Sequence, residues 1–175
     1  MKNFKICIIG LGYVGLPLAI EFGKKFNTVG YDTSLQRIEN LKKGLDTSLE
    51  FSKKYIKSAK NLLITSEVND LKYCNFFIIT VPTPIFKNKK PDLSYLIKAT
   101  KTISNYITKG SIVVYESTVY PGLTEEVCIP LIEKNTKLKS NIDFFYGYSP
   151  ERINPGDKEH TITKIKKDNI YYNII

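Results

Sequence analysis

The 175-residue chain suits one domain of ordinary size, since domains cluster at roughly 100 to 150 residues. Its 42 % apolar and 25 % charged content is that of a soluble globular protein, and no apolar run approaches the ~20 residues that cross a bilayer. The formal charge of +9 invites a nucleic-acid reading, but only Arg37 and Arg152 are arginines, and the lysines are scattered among Ile, Asn and Tyr rather than gathered into a patch. The composition therefore argues against nucleic-acid and membrane partners.

Residues 5–9 are apolar almost without alternation, as in a parallel strand covered on both faces. Gly10 ends that strand. A helical pattern follows from about Val14 to Lys25, with Pro17 tolerable only in the first turn, where its missing N–H costs no intrahelical bond. The basic, apolar start could imitate a signal peptide, but three glycines interrupt it and Glu21 follows without a small-residue cleavage site.

The next strand is 28–31. Thr33 and Gln36 form a capping-box pattern opening a helix that closes at Gly44. A polar stretch, 46–61, contains a Lys-rich possible helix. It leads to a strand at 62–65, a short helical stretch near Leu71, and a strand at 76–80. Asp92 is the expected N-cap of a helix whose Leu93, Leu96, Ile97, Ile103 and Ile107 share a face. A strand at 112–115, a helix from Gly122 to about Lys134 and a strand at 144–148 complete the alternation. The expected class is α/β, a doubly wound parallel sheet of Rossmann type over residues 1–160, with an irregular tail at 161–175.

Gly10, Gly12 and Gly15 form G-x-G-x-x-G at the junction of the first strand and helix. The first glycine permits a tight turn, the second lets backbone approach a pyrophosphate, and the third allows close packing of the helix whose positive end faces the anion. Asp32 ends the second strand twenty positions after Gly12, where a carboxylate can accept hydrogen bonds from an adenine-ribose 2′-hydroxyl and repel a 2′-phosphate. NAD is favoured over NADP. FAD enzymes and methyltransferases share these two features, so the loop and the acid leave the class open.

Three further strings narrow it: Val81-Pro82-Thr83-Pro84, Glu116-Ser117-Thr118-Val119-Tyr120-Pro121-Gly122, and Ser149-Pro150-Glu151-Arg152-Ile153-Asn154-Pro155-Gly156-Asp157. With the glycine loop, and in this order over residues 5 to about 166, they resemble the UDP-glucose/GDP-mannose dehydrogenase family. Pro155 stands where UDP-glucose dehydrogenases have a second glutamate, so the likeness is to the branch acting on UDP-N-acetylhexosamines, such as UDP-N-acetyl-D-mannosamine.

The resemblance implies oxidation of a sugar C6 alcohol to a carboxylate, through two hydride transfers to NAD and a cysteine-bound thioester that water hydrolyses. It implies cofactor contacts from Gly10, Gly12, Tyr13, Val14, Gly15, Asp32, Arg37, Val81, Pro82, Thr83, Ser117 and Thr118. Catalytic roles would fall to Thr118, holding a water, and Glu151, assisting proton transfer. Glu151, Arg152 and Asn154 would face the UDP-sugar, and the work would feed surface-polysaccharide precursor synthesis.

Such enzymes continue into a central dimerisation helix and a second domain carrying the catalytic cysteine. Neither string is found here, so the expectation is an N-terminal fragment, inactive alone, of a homo-oligomeric enzyme: a truncated reading frame, a split gene or a trimmed product. Cys7, Cys74 and Cys128 lie in apolar contexts with no C-x-x-C spacing and read as packing residues of a reduced, cytoplasmic protein. His160 is the single histidine, and no metal is implied. Two other readings stay in view: a stand-alone NAD- or nucleotide-binding module without catalysis, and a fragment of a two-domain hydroxyacid-type dehydrogenase.

Overall fold

The computed structural model describes residues 4–48, 50–149 and 171–172. Six short strands, β1 (Ile6–Ile9), β2 (Thr28–Tyr31), β3 (Leu62–Thr65), β4 (Phe76–Ile79), β5 (Ile112–Tyr115) and β6 (Phe145–Tyr148), pair in parallel. Their spatial order is β3-β2-β1-β4-β5-β6, so the direction of winding reverses between β1 and β4. That reversal is where an open α/β sheet has its ligand crevice, outside the carboxyl ends of the strands. The doubly wound Rossmann-like class is as the sequence pattern requires.

Both faces of the sheet are buried, and the strand period of two divides them cleanly. Cys7 and Ile9 of β1, Phe77 and Ile79 of β4, and Val113 and Tyr115 of β5 pack into one layer. There they meet Leu96, Ala99 and Ile103 of α4 (Ser94–Ser104) and Ile129 and Ile132 of α5 (Ile129–Thr136). Ile6 and Ile8, Ile78 and Val114 face the other way, onto α1 (Gly15–Gly23), α2 (Leu35–Lys42) and α3 (Lys53–Ile56). The near-continuous apolar strands of the sequence are thus each shared between two cores.

Several boundaries differ from the sequence pattern for local reasons. Ser34, not Thr33, caps α2 and accepts the Arg37 N–H, because the Asp32 carboxylate takes the Ser34 N–H and delays the helix by one residue. Asp92 likewise sits one residue ahead of the cap of α4, its carboxylate accepting from the Ser94 N–H at 2.9 Å. Ile107 lies beyond the end of that helix but still packs against its core. The helix expected after Gly122 begins with a wide π turn, Thr124–Cys128, in which the Ile129 N–H reaches back to the Thr124 carbonyl. Pro130, just inside α5, has no N–H to give and would clash with the carbonyl four residues back, so the wider turn is the geometry that accommodates it.

Residues 171–172 add a short antiparallel edge strand, β7 (Tyr171–Tyr172), beside β6 in a stretch where the sequence offered no regular element. No helix of the described residues is long and apolar enough to cross a membrane.

Phe77 is fully buried in β4 at the centre of the sheet. Phe77→Ala is expected to lower unfolding free energy by about 3–5 kcal/mol, measured by urea denaturation followed by circular dichroism.

Candidate functional site

Where β1 meets α1, the chain turns so tightly that side chains are excluded. Gly10 adopts φ +94°, in the left-handed region that favours glycine, and its N–H donates to the Tyr31 carbonyl at 2.8 Å. A Cβ on Gly15 would lie 1.8 Å from the Gly10 carbonyl oxygen and 2.4 Å from the Thr80 hydroxyl. Only a hydrogen fits. Pro17 falls in the first turn of α1, as its missing N–H demands.

Gly12 is different. A Cβ there would meet no atom of the described residues within 4 Å, so nothing among them forbids a side chain at this position. The space it would fill opens into a cleft of about 720 Å³ at the carboxyl ends of β1 and β4. Among the described residues, the Tyr13 and Val14 N–H groups at the start of α1 have no protein acceptor. Unsatisfied donors, the positive helix end and an open approach together suit a pyrophosphate.

Around that loop runs a set of polar ties. Asp32 accepts the Leu11 N–H at 2.8 Å with one carboxylate oxygen and the Ser34 N–H at 2.9 Å with the other. Arg37 donates from Nε to the Leu11 carbonyl at 3.0 Å, and from Nη1 to Asp46 at 2.6 Å and Thr47 at 3.1 Å. The Leu11 peptide is therefore held at both ends. The Asp46 side chain is wholly buried and also accepts from Ser48 and from the backbone N–H groups of Glu50 and Phe51. Burial alone would raise its carboxyl, but hydrogen bonds from Ser48 and Arg37, with the guanidinium charge, outweigh it and hold the group below the usual carboxylate range.

The opposite wall comes from the two later strings. Thr80 donates its hydroxyl to the Gly10 carbonyl at 2.8 Å, and Ser117 to the Val81 carbonyl at 2.8 Å. Thr83 bonds to the Thr118 carbonyl, which joins the loops that follow β4 and β5. Glu116 is buried beside them, within 3.4 Å of the Ser149 hydroxyl. Apart from Gly15, which packs beneath the loop, all the expected cofactor residues line the cleft: Gly10, Gly12, Tyr13, Val14, Asp32, Arg37, Val81, Pro82, Thr83, Ser117 and Thr118. Glu151, Arg152 and Asn154, expected at the substrate, lie outside the described residues, as does His160.

These features have counterparts in known proteins. Residues 4–170 match the family model described as the UDP-glucose/GDP-mannose dehydrogenase family, NAD binding domain. The chain belongs to this family. It is 56 % identical over 167 residues to a UDP-N-acetyl-D-glucosamine 6-dehydrogenase of Pseudomonas aeruginosa, covering 95 % of this chain and 40 % of that one. A solved UDP-N-acetyl-D-mannosamine dehydrogenase of Pyrococcus horikoshii is similar with TM-score 0.77 and 38 % identity, over 86 % of this chain and 37 % of the other. A GDP-mannose dehydrogenase of Pseudomonas aeruginosa, solved as a ternary complex, gives TM-score 0.81 at 29 % identity, over 87 % and 37 %. The chain thus spans about two fifths of the length of its curated relatives, and what it matches is their NAD-binding part.

Sequence reasoning missed Asp46, Glu116 and the α4 residues Tyr95 and Lys98 that line the cleft. Tyr95 and Lys98 sit three apart on one helix face, a spacing that could have flagged them. The cysteines behave as packing residues: all three are free and buried, and none lines the cleft. Burial pushes the Cys7 and Cys128 thiols up. Cys74 is held lower by its hydrogen bond with Cys7 and by Lys5, but it precedes β4, at the end of the sheet away from the cleft.

Two glycines separate folding from binding. Gly15→Ala is expected to cost about 3 kcal/mol or more of stability, because backbone must move. Gly12→Ala should remain within about 1 kcal/mol of the parent while weakening NAD about tenfold or more by occupying the pyrophosphate's space. Urea denaturation and calorimetric titration read the two effects. A second expectation concerns pH. A carboxylate held below its unfolded value of about 3.9 stabilises the fold above that value, and the contribution is lost as pH falls through the lowered folded value. Thermal midpoints should therefore drop more steeply between pH 5 and pH 3 in the parent than in Asp46→Asn.

Proposed function

We propose that this chain is the cofactor-binding part of an NAD-dependent UDP-N-acetylhexosamine 6-dehydrogenase, which oxidises the sugar C6 alcohol to a carboxylate for surface-polysaccharide precursors. The observation that carries the reading is the open space at Gly12, bordered by unpaired helix N–H groups and by Asp32 at the ribose position. The residues present fit the dinucleotide: the first turn of α1 for the pyrophosphate, Asp32 and Arg37 for the adenine ribose, and the Val81–Thr83 and Ser117–Thr118 loops for the nicotinamide half. NAD, when bound, supplies the hydride acceptor.

The chain's own groups then orient and exclude. Thr83, through its bond to the Thr118 carbonyl, fixes the loop on which the Thr118 hydroxyl would hold a water near the reacting carbon. Glu151 would assist proton transfer, and Arg152 and Asn154 would contact the nucleotide sugar. The cysteine nucleophile that the family resemblance implies has no candidate among the described residues, since Cys7, Cys74 and Cys128 are buried away from the cleft. The higher identity to a relative named for the gluco sugar, against 38 % for a manno one, makes UDP-N-acetyl-D-glucosamine the first substrate to try. Free thiols and a nucleotide-sugar substrate suit the cytoplasm, and assembly as a homo-oligomer belongs to the same proposal.

Titration of the purified chain with NAD and NADP by calorimetry tests this reading. NAD should bind in preference to NADP, and Asp32→Ala should narrow the preference by about tenfold, the size of one charge-assisted hydrogen bond. Binding of neither cofactor by a folded chain would overturn it.

A further inference from the structure

An arginine beside the adenine ribose is ordinarily the mark of a site for a 2′-phosphate, which a guanidinium grips with two parallel N–H groups. Arg37 lines the cleft beside Asp32 and Ser34, a placement at odds with selection of NAD. Its hydrogen bonds resolve the conflict. A guanidinium offers two forks, Nε with Nη2 and Nη1 with Nη2. The single Nε–H goes to the Leu11 carbonyl, and the two Nη1 hydrogens go to Asp46 and Thr47. Each fork has lost one tine. What remains is Nη2, for which no protein acceptor exists among the described residues, and one nitrogen suits a hydroxyl better than a phosphate.

The charge is handled in the same way. Asp46 sits 2.6 Å from Nη1 with its side chain wholly removed from solvent. Four other donors hold it there: the Ser48 hydroxyl at 2.6 Å and the N–H groups of Ser48, Glu50 and Phe51 at 3.1–3.3 Å. So many donors around one carboxylate fix its position independently of Arg37. The cage thus acts on the arginine, rather than the arginine on the cage. Counting the Asp32 carboxylate, this end of the cleft sets two acidic side chains against one basic one. Among the described residues, the Lys98 ammonium, on α4, is the one other charge lining the cleft from the opposite side, apart from the buried Glu116.

We infer that Asp46 is a positioning residue for cofactor choice: it locks Arg37 against Leu11 and neutralises it, so that the ribose end of the cleft accepts a 2′-hydroxyl and rejects a 2′-phosphate. The inference rests on the proposed cofactor-domain reading and deepens it. Asp46 touches no cofactor atom itself. Its influence passes through the Arg37 side chain and, beyond it, through the Leu11 peptide of the glycine loop.

The test measures NAD and NADP dissociation constants for the 175-residue chain, its Asp46→Asn variant, Arg37→Met and the double variant. Asp46→Asn removes the charge but keeps the shape. It should shift the NADP-to-NAD preference toward NADP by about tenfold, the worth of a freed charge-assisted contact. The shift should vanish in the double variant, and Arg37→Met alone should weaken NAD without admitting NADP. A merely structural role for Asp46 would weaken both cofactors alike and leave their ratio unmoved, which overturns the inference. Should Asp46→Asn not give a folded chain by circular dichroism, Arg37→Lys decides. Lysine keeps the charge but has no fork to share between Leu11 and Asp46, so an unchanged ratio there overturns the inference too. A parent chain that binds neither cofactor overturns the underlying reading instead, whereas a parent that prefers NAD beside an unaltered Asp46→Asn sinks this inference alone.

Discussion

Helix α1 begins so close to the end of β1 that a single methyl group at Gly15 would have to share space with the Gly10 carbonyl. That contact fixes the helix axis against the sheet, and with it the direction in which the first N–H groups point. A looser junction would leave the same residues as an ordinary strand-to-helix turn. With it, the positive end of the helix lies over the place where the winding reverses between β1 and β4, so the anion site and the crevice of the sheet become one feature. The Thr80 hydroxyl, bonded to the Gly10 carbonyl, ties β4 into the same junction.

The second layer of control is polar. A glycine loop gains approach to a ligand at the cost of conformational freedom, and something must remove that freedom in the folded state. Here the Leu11 peptide is held through its N–H by Asp32 and through its carbonyl by Arg37, while Asp46 holds Arg37. A buried ion pair of this kind adds little net stability once desolvation is counted. Its evident effect is geometric: three side chains, from just after β2, from α2 and from the loop before α3, agree on one position for one peptide. Asp46 can remain ionised in that loop because four donors besides Arg37 surround it.

This division explains what could be read in the sequence. The six parallel strands were legible to within a residue because burial on both faces leaves an apolar run with glycine or polar punctuation, as in residues 5–9. The glycine loop and Asp32 were legible because their spacing is imposed by one βαβ unit. Asp46 was not. It stands in a polar stretch without period, and its meaning depends on the fold bringing it to Arg37, nine residues away around the turn at Gly44. The offset starts of α2 and α4 are of the same kind: the Asp32 and Asp92 carboxylates each take the N–H two residues on, and spacing alone does not say that they will. The π turn before α5 could have been read from Pro130, since a proline that deep in a helical pattern must displace a hydrogen bond.

On the proposed reading, cofactor choice and sugar chemistry draw on different parts of the architecture. Asp32, Ser34, Arg37 and Asp46 come from the stretch that runs from the end of β2 through α2 to the loop before α3, and Asp32 and Arg37 reach back 21 and 26 residues to the glycine loop at Leu11. Those ties require nothing from the loops after β5 and β6. The opposite wall is assembled differently, by Thr83 and Thr118 joining the loops after β4 and β5 and by Glu116 beside Ser149. A chain spanning two fifths of its relatives' length holds the first arrangement, whose ties run from Leu11 to Phe51. The second draws on loops whose positions are set across the sheet, and none of the three buried cysteines lines the cleft. On the proposed reading, selection of the dinucleotide belongs to the half of the sheet built from β1 to β3, and handling of the sugar to the half built from β4 to β6.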